Sequence, residues 1–143
     1  MNQSHKTAIK RNTLSAPSKE LVKANVLQGK VLDYGCGKGN DAEFLNAEKY
    51  DPHFFPTMPE GKFDTIFCNY VLNVVEKDKE QEVIDNILSK LEKNGKAYIA
   101  VRRDIIKEGL TSKGTLQRNV TLDLPIFKEN KKRYCIYILM GGN

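Results

Sequence analysis

The sequence lacks the features that mark membrane, secreted and metal-binding proteins. It has no run of about 18 apolar residues, which a membrane-spanning helix needs, and its first residues are polar, unlike a secretory signal. Its cysteines, Cys36, Cys68 and Cys135, form no CxxC pair and no metal-ligand spacing. We therefore expect reduced thiols, a cytoplasmic location, no membrane contact and no metal site.

A large charge of one sign is also missing, because the formal net charge is +5 in 143 residues. The charge is unevenly distributed: residues 1–30 carry a balance of +5, residues 31–101 carry −5 and residues 102–143 carry +5. Two basic ends can attract a polyanion, so nucleic acid is a possible partner. Ordinary solvated lysines explain the same charges equally well. The length predicts one domain with a modest core.

The segment KVLDYGCGKG at residues 30–39 is an apolar run stopped by an acid and followed by three glycines on alternate positions. Glycines let a ligand approach the backbone closely, and a helix after the turn offers free N–H groups. A dinucleotide fingerprint needs its last glycine at the sixth place of the motif, where this chain has Asn40. Asp33, just before the turn, suits a cofactor that carries a cationic ammonium and sulfonium.

The rest of the chain predicts alternating strands and helices. We expect a helix from Ser15 or Ser18 to about Leu27, a strand over 30–34, a helix over 39–48, a short strand in 49–52, an irregular connector over 53–62, a strand over 63–68, a helix over 78–93 and a strand over 96–101. Strands over 115–122 and 133–140 should pair antiparallel at one edge. This order favours an open, mainly parallel α/β sheet, whose ligands bind outside the carboxyl ends of the strands. Gly35, Asp51 and Asn69 all fall there.

The glycine motif with Asp33 resembles motif I of the class I S-adenosylmethionine (SAM)-dependent methyltransferases. In that family an acid at the end of the second strand binds the ribose of the cofactor, and Asp51 lies in the matching register, sixteen residues beyond Gly35. The runs at 63–66 and 70–72 are similar to the family's fourth strand and substrate-facing loop. The resemblance implies SAM as a small-molecule cofactor and methyl transfer as the reaction.

The chain departs from the family in the middle. Only twelve residues separate Asp51 from Asp64, where the family has a helix, its third strand and another helix. In the family's strand order, 3-2-1-4-5-7-6, the third strand lies at an edge. The resemblance therefore implies a minimal Rossmann-like class I methyltransferase sheet that lacks the third strand and its flanking helices. It also implies a C-terminal antiparallel strand pair and no contact from motif III to adenine.

Within the class, the sequence is most similar to the methyltransferases associated with DNA phosphorothioation systems. The similarity lies in HKTAI at 5–9 with Arg11, SAP at 15–17, DYGCGKGND at 33–41, YDP at 50–52 and YVLNVV at 70–75. It implies a basic N-terminal arm over residues 1–13, ahead of a single methyltransferase-like domain over residues 14–143.

These patterns yield three sets of candidate residues. The resemblance implies cofactor binding by Asp33, Tyr34, Gly35, Cys36, Gly37, Asp41, Asp51, Pro52, Asn69 and Tyr70. It implies substrate binding by His5, Lys6 and Arg11 of the arm. Arg102 and Arg103 follow the carboxyl end of a predicted strand, where a guanidinium can bind phosphate or carboxylate, and with Tyr70 they are the predicted catalytic residues. Surface charge explains the arginine pair equally well.

No motif identifies the methyl acceptor. The segment Asn69-Tyr70-Val71 lacks the prolines that mark methylation of exocyclic amines, and Cys68 lacks the preceding proline that marks C5 methylation of pyrimidines. We therefore predict SAM-dependent methyl transfer to an unidentified acceptor. A non-catalytic SAM-binding module and a SAM-cleaving enzyme are the alternatives, because the trimmed sheet shows no obvious catalytic base.

Overall fold

A mixed sheet of six strands forms the centre of the computed structural model, which describes residues 13–142. The strands of the chain are β1 (Val31–Tyr34), β2 (Glu48–Tyr50), β3 (Phe63–Asn69), β4 (Leu91–Arg102), β5 (Gly109–Leu110), β6 (Leu116–Gln117), β7 (Ile126–Asn130) and β8 (Tyr134–Met140). The α-helices are α1 (Ala16–Lys23), α2 (Asn40–Leu45) and α3 (Glu80–Ser89), and short 3-10 helices lie at Leu72–Val74 and Lys77–Lys79. None of these helices is long and apolar enough to cross a membrane. The predicted arm, except for Thr13, lies outside the described residues.

The strand order of the sheet is β2-β1-β3-β4-β8-β7. β1 pairs parallel with β2 and β3, and β3 pairs parallel with β4, whereas β8 pairs antiparallel with β4 and β7. This is the order expected for a class I methyltransferase sheet without its third strand. Between β2 and β3 the structure has no helix or strand, only an isolated bridge between Asp51 and Phe55. The predicted fold class is therefore confirmed, together with the irregular connector.

One predicted strand pairing is wrong. Residues 115–122 do not pair with β8, because Leu116–Gln117 pairs with Gly109–Leu110 in a separate two-stranded sheet. The partner of β8 at the edge is β7. Its polar sequence after Ile126 is typical of a loop, so the sequence does not predict a strand there. A tight turn closes this hairpin, in which Arg133 donates its N–H to the carbonyl of Asn130 at 2.9 Å. Consecutive strands joined by so short a turn pair with each other in preference to a distant segment.

The missing third strand leaves β2 at the edge of the sheet. Exposed strand edges favour unwanted pairing with other chains, and short or charged edge strands reduce that risk. β2 has only three residues, and Lys49 at its centre forms an ion pair of 3.1 Å with Glu43. The Lys49 ammonium also lies 5.1 Å from the centre of the Phe55 ring. The edge strand is therefore short, and the contacts of Lys49 with Glu43 and Phe55 help to cover it.

The sheet separates two hydrophobic clusters. On one face, α3 and the segment around Val120 pack on residues such as Ile66 and Cys68. On the other face, α1 packs on residues that include Phe67 and Tyr98. Side chains alternate between faces along a strand. Val31 belongs to the α1 cluster and Leu32 to the α3 cluster, which puts Asp33 on the α1 face. Asn69 follows Phe67 by two residues and lies on the same face.

Asn73, which is fully buried, joins three segments near the carboxyl end of the sheet. Its side chain accepts the N–H of Arg102 at 2.8 Å and donates to the carbonyl of Arg118 at 3.0 Å. Its own carbonyl accepts the N–H of Arg118 at 2.9 Å. These bonds hold the loop after β3 against the end of β4 and the segment after β6.

Replacing Asn73 by Ala should destabilise the fold strongly. The change leaves the Arg102 N–H and the Arg118 carbonyl without their partner, and we expect a loss of about 2–4 kcal/mol in the free energy of unfolding. Urea unfolding measures it. Gln81→Ala is the control, because it removes only an exposed hydrogen bond to Asp85 on α3, which is worth about 0.5 kcal/mol or less. Equal losses in the two variants would contradict the assigned role.

Candidate functional site

The glycine turn after β1 is held against the ends of two other strands. The N–H groups of Gly35 and Cys36 donate to the carbonyl of Tyr50 at 2.7 and 3.0 Å, at the end of β2. Gly35 has a φ of +78°, and a Cβ at this position would collide with Cγ2 of Val71, in the loop after β3. Only glycine fits such a site without strain. Glycine at this position therefore lets the turn pack directly against the loop after β3.

Asp51 fixes the same turn from the β2 side. One carboxylate oxygen accepts the N–H of Gly37 at 3.0 Å, and the other accepts the N–H groups of His53 and Phe54, each at 3.0 Å. Pro52 lies between the acid and these two residues. A carboxylate has about four acceptor positions, so three N–H donors leave room for a further donor from a ligand.

Asp33 is an acid buried at the end of β1. The residue is 4% exposed, and no hydrogen bond to its carboxyl group forms within residues 13–142. Burial, followed by the negative charges of Asp41 and Asp51, raises the pKa of Asp33 well above its usual range. An ionised Asp33 is thus unfavourable unless a positive charge lies beside it.

A second polar group links Asp41 with the end of β3. The Asp41 carboxylate accepts the backbone N–H of Ser15 at 3.0 Å and the hydroxyls of Ser15 and Ser18 at 2.5 and 2.8 Å. The side-chain N–H₂ of Asn69 donates to Ser18 at 2.9 Å and to Ser15 at 3.3 Å. The other amide atom of Asn69, Oδ1, is buried and has no hydrogen-bond partner in the described structure. Such an atom is a candidate contact for a ligand.

Tyr34 and Cys36 have side chains unsuited to chemistry at the turn. Tyr34 packs in the α3 cluster on the other face from Asp33, and its hydroxyl accepts from Asn86 at 2.6 Å. Burial raises the pKa of Tyr34 to about 12. Burial, followed by the charges of Asp33 and Asp51, raises the pKa of the Cys36 thiol to about 12. A thiol this weakly acidic is a poor nucleophile.

Tyr70 stands at the carboxyl end of β3 in an uncommon conformation. Its φ is +65°, in the left-handed region that few non-glycine residues occupy, and its N–H donates to the carbonyl of Ala100 at 2.8 Å. Strain of this kind is concentrated at functional sites. Tyr70 follows Asn69 directly, and the next residue, Val71, contacts the glycine turn, so the role of Tyr70 at this site stays a prediction.

The two predicted catalytic arginines face different partners. Arg102 forms an ion pair of 2.8 Å with Asp104, and this guanidinium lowers the pKa of Asp104. Arg103 donates to the carbonyl of Val120 at 2.8 Å and to the hydroxyl of Tyr137 at 2.9 Å. Internal contacts thus hold Arg103 beside β8, and the structure does not bring its guanidinium together with Asp33 and Asp51. His5, Lys6 and Arg11 lie outside the described residues.

Sequence reasoning missed the roles of Ser15 and Ser18. Either serine was predicted to cap the first helix, but Ser15, at the cap position of α1, makes no side-chain cap bond because its hydroxyl donates to Asp41. The available signal was their spacing, since residues three apart lie on one side of a helix start. Among residues 13–142, no group of three or more His, Cys, Asp or Glu side chains is arranged to hold a metal ion.

Comparison with known proteins identifies the family. Residues 6–112, well over half of the chain, match the family model described as a methyltransferase domain. The chain belongs to the methyltransferase domain family. A search of curated protein sequences finds no match.

Several solved structures share the fold. The Burkholderia thailandensis 1,6-didemethyltoxoflavin-N1-methyltransferase, with bound 1,6-didemethyltoxoflavin and S-adenosylhomocysteine, is 18% identical at a TM-score of 0.64, over 90% of this chain and 78% of that one. The DhpI complex with S-adenosylhomocysteine is 13% identical at a TM-score of 0.65, over 90% of this chain and 85% of that one. TehB from Haemophilus influenzae is 12% identical at 0.64, over 92% of this chain and 64% of that one. At these identities the likeness shows the fold of this chain and nothing further.

The buried Asp33 predicts how stability depends on pH without a ligand. In the unfolded chain its carboxyl titrates near 3.8, whereas in the folded protein it holds its proton to a higher pH. Where only the folded state keeps the proton, each rise in pH favours unfolding. The wild type should therefore lose stability relative to Asp33→Asn as the pH rises above about 4.

Urea unfolding over a pH series measures this difference. Asp85→Asn, at an exposed position on α3, controls for the removal of one negative charge. Parallel curves for wild type and Asp33→Asn would contradict the assignment.

Proposed function

We propose that this methyltransferase uses SAM and transfers its methyl group to an acceptor bound at the carboxyl ends of β1, β2 and β3. The observation that carries the proposal is the buried carboxyl of Asp33, beside a glycine turn and without a donor in the described protein. A cationic ligand at this place would relieve the cost of ionising that acid. SAM carries both an ammonium and a sulfonium.

The residues present fit this cofactor. Asp33 would lie near its positive charges, Asp51 has acceptor capacity left for a ribose hydroxyl, and Gly37, which has a φ of +56°, presents backbone without a side chain. The unpartnered Oδ1 of Asn69 offers one more acceptor on the same face of the sheet. When bound, SAM supplies an electrophilic methyl group on its sulfonium sulfur. The protein then has to orient the two reactants, which is the main task in an in-line transfer.

Tyr70 is proposed to orient the acceptor, because it follows Asn69 directly at the strand end and holds a strained backbone. The acceptor we favour is a small molecule. Arg103 is held by Val120 and Tyr137, and Arg118 is held by Val75 and by Glu80 at 3.0 Å, so neither is available for phosphate. Nucleic acid is the second candidate, favoured by the basic residues 1–30 and by Arg102.

Three finer assignments belong to the same proposal. The free thiols fit a cytoplasmic enzyme. The motifs at 5–11 and 33–41 favour the subgroup associated with DNA phosphorothioation, with an arm over residues 1–13 and a domain over 14–143. The oligomeric state is not part of the proposal.

Product analysis tests the proposed reaction. The purified protein is incubated with SAM and with panels of small heteroaromatic amines, nucleic acids and proteins, and released S-adenosylhomocysteine is measured. Methyl transfer predicts release that depends on one class of acceptor. Binding of SAM without any product would identify a binding module, and loss of SAM without an acceptor would identify a cleaving enzyme.

Replacing Asp51 by Ala should weaken binding of S-adenosylhomocysteine by about 10- to 100-fold, because hydrogen bonds to a charged group are worth about 1.5–3 kcal/mol. Calorimetry measures the change. Asp64→Ala is a matched control: Asp64 also accepts a backbone N–H, from Lys30 at 2.8 Å, but near the amino end of β3. Unchanged affinity in Asp51→Ala would refute the role of this acid.

Deleting residues 1–12 tests the arm, whose His5, Lys6 and Arg11 are proposed to bind the substrate. We expect weaker binding of cofactor or acceptor, because the arm leads into α1 and from there to the glycine turn. Thermal melting should stay cooperative, since residues 16–139 already form two packed core clusters. A truncated protein that binds and turns over normally would show that the arm has no such role.

A further inference from the structure

The hydrogen bonds between Asp41 and Asn69 can run in only one direction. Asp41 accepts from the N–H of Ser15 and from the hydroxyls of Ser15 and Ser18. A carboxylate has no proton to give, so both hydroxyl hydrogens face Asp41. The lone pairs of both serine oxygens are then left for another donor. Asp41 is 8% exposed, Ser15 5% and Ser18 0%, so water has little access to this arrangement.

The side-chain N–H₂ of Asn69 is that donor, at 2.9 Å from Ser18 and 3.3 Å from Ser15. A reversed amide would set Oδ1 against two oxygens whose hydrogens are already engaged. The carboxylate of Asp41 therefore determines, through two successive hydrogen bonds, which way the side-chain amide of Asn69 faces. Its Oδ1 is turned from the serines, is buried and meets no donor within residues 13–142.

We propose that Asp41, acting through Ser15 and Ser18, is a positioning residue that keeps Oδ1 of Asn69 turned towards the cofactor, where it accepts an N–H from the ammonium of SAM. The inference rests on the proposed function. A buried carbonyl without a donor is unfavourable, and a ligand N–H removes that cost.

The surroundings of Asn69 favour an ammonium over a neutral N–H donor. β1 and β3 are neighbours, and Asp33 pairs in register with Phe67, two residues before Asn69. Asp33 and Asn69 lie on the same face of the sheet, and both are acceptors without a donor. One ammonium has three N–H groups and a positive charge, so it can satisfy both side chains. The carboxylate of Asp41 adds a second negative charge on this side.

The test compares two ligands of which only one carries the amino acid part with its ammonium. S-adenosylhomocysteine has it, whereas 5′-methylthioadenosine has the same adenosine and thioether without the amino acid part. Calorimetry gives both dissociation constants for wild type, Asn69→Leu, Asp41→Asn and the double variant. Asn69→Leu should weaken the binding of S-adenosylhomocysteine about 10-fold or more and leave the affinity for methylthioadenosine unchanged.

Asp41→Asn should have the same selective effect. Its new N–H₂ can donate to the serines, which frees a hydroxyl hydrogen and lets the Asn69 amide turn round. The double variant should bind S-adenosylhomocysteine no worse than Asn69→Leu, because both changes remove one interaction. Thr65→Val is the control: it removes a buried hydrogen bond to Gln28 from the same strand, near its amino end. Thr65→Val should lower the stability of the fold and leave the affinities for both ligands unchanged.

The outcomes separate the inference from the function on which it rests. Wild type that binds neither ligand would overturn both. A second set of results would overturn the inference alone. In it, the wild type binds S-adenosylhomocysteine more tightly than methylthioadenosine, but Asp41→Asn weakens the binding of both ligands equally, or its effect adds to that of Asn69→Leu. If Asp41→Asn does not melt cooperatively, Ser18→Ala replaces it, since it removes the shorter bond to Asn69 together with one of the two serine hydroxyl bonds to Asp41. Unchanged affinity for S-adenosylhomocysteine in that variant would overturn the inference.

Discussion

The turn at Gly35 has no space for a side chain, because Val71 occupies the position that a Cβ would take. This packing constraint brings three strand ends together. The turn donates two N–H groups to Tyr50 at the end of β2, and Asp51 binds the turn in return through Gly37. Because β1, β2 and β3 are parallel, their carboxyl ends meet at one edge, and the glycine turn lies there.

The same convergence concentrates negative charge. Asp33, Asp41 and Asp51 lie close enough that the last two raise the pKa of the first, in addition to the effect of burial. Asp41 is satisfied by two serines and Asp51 by three backbone N–H groups, whereas Asp33 has no such partner within residues 13–142. An arrangement that costs stability in the free protein is expected where a cation binds.

Local patterns in the sequence predicted most of the sheet. The glycine motif and the apolar strands predicted the parallel part of the sheet, and the family resemblance with the twelve residues between Asp51 and Asp64 implied the missing third strand. β7 was missed because three of its five residues are polar and it lies at an edge of the sheet, where hydrophobic patterning is weak. The partners of Arg103 and Asp41 could not be predicted either. Long polar side chains choose among acceptors that only the tertiary fold brings near, such as Tyr137 and Ser15.

A crystal structure of the protein with S-adenosylhomocysteine would show whether the buried acceptors bind the cofactor. We expect a ribose hydroxyl on Asp51, and the ammonium within hydrogen-bonding distance of Asp33 and of Oδ1 of Asn69. The ligand in another place would contradict this expectation, for example in the cleft of about 500 Å³ near the amino ends of β3 and β4, lined by Thr65, Lys96 and Tyr98. An ammonium that makes no contact with either acceptor would contradict it as well.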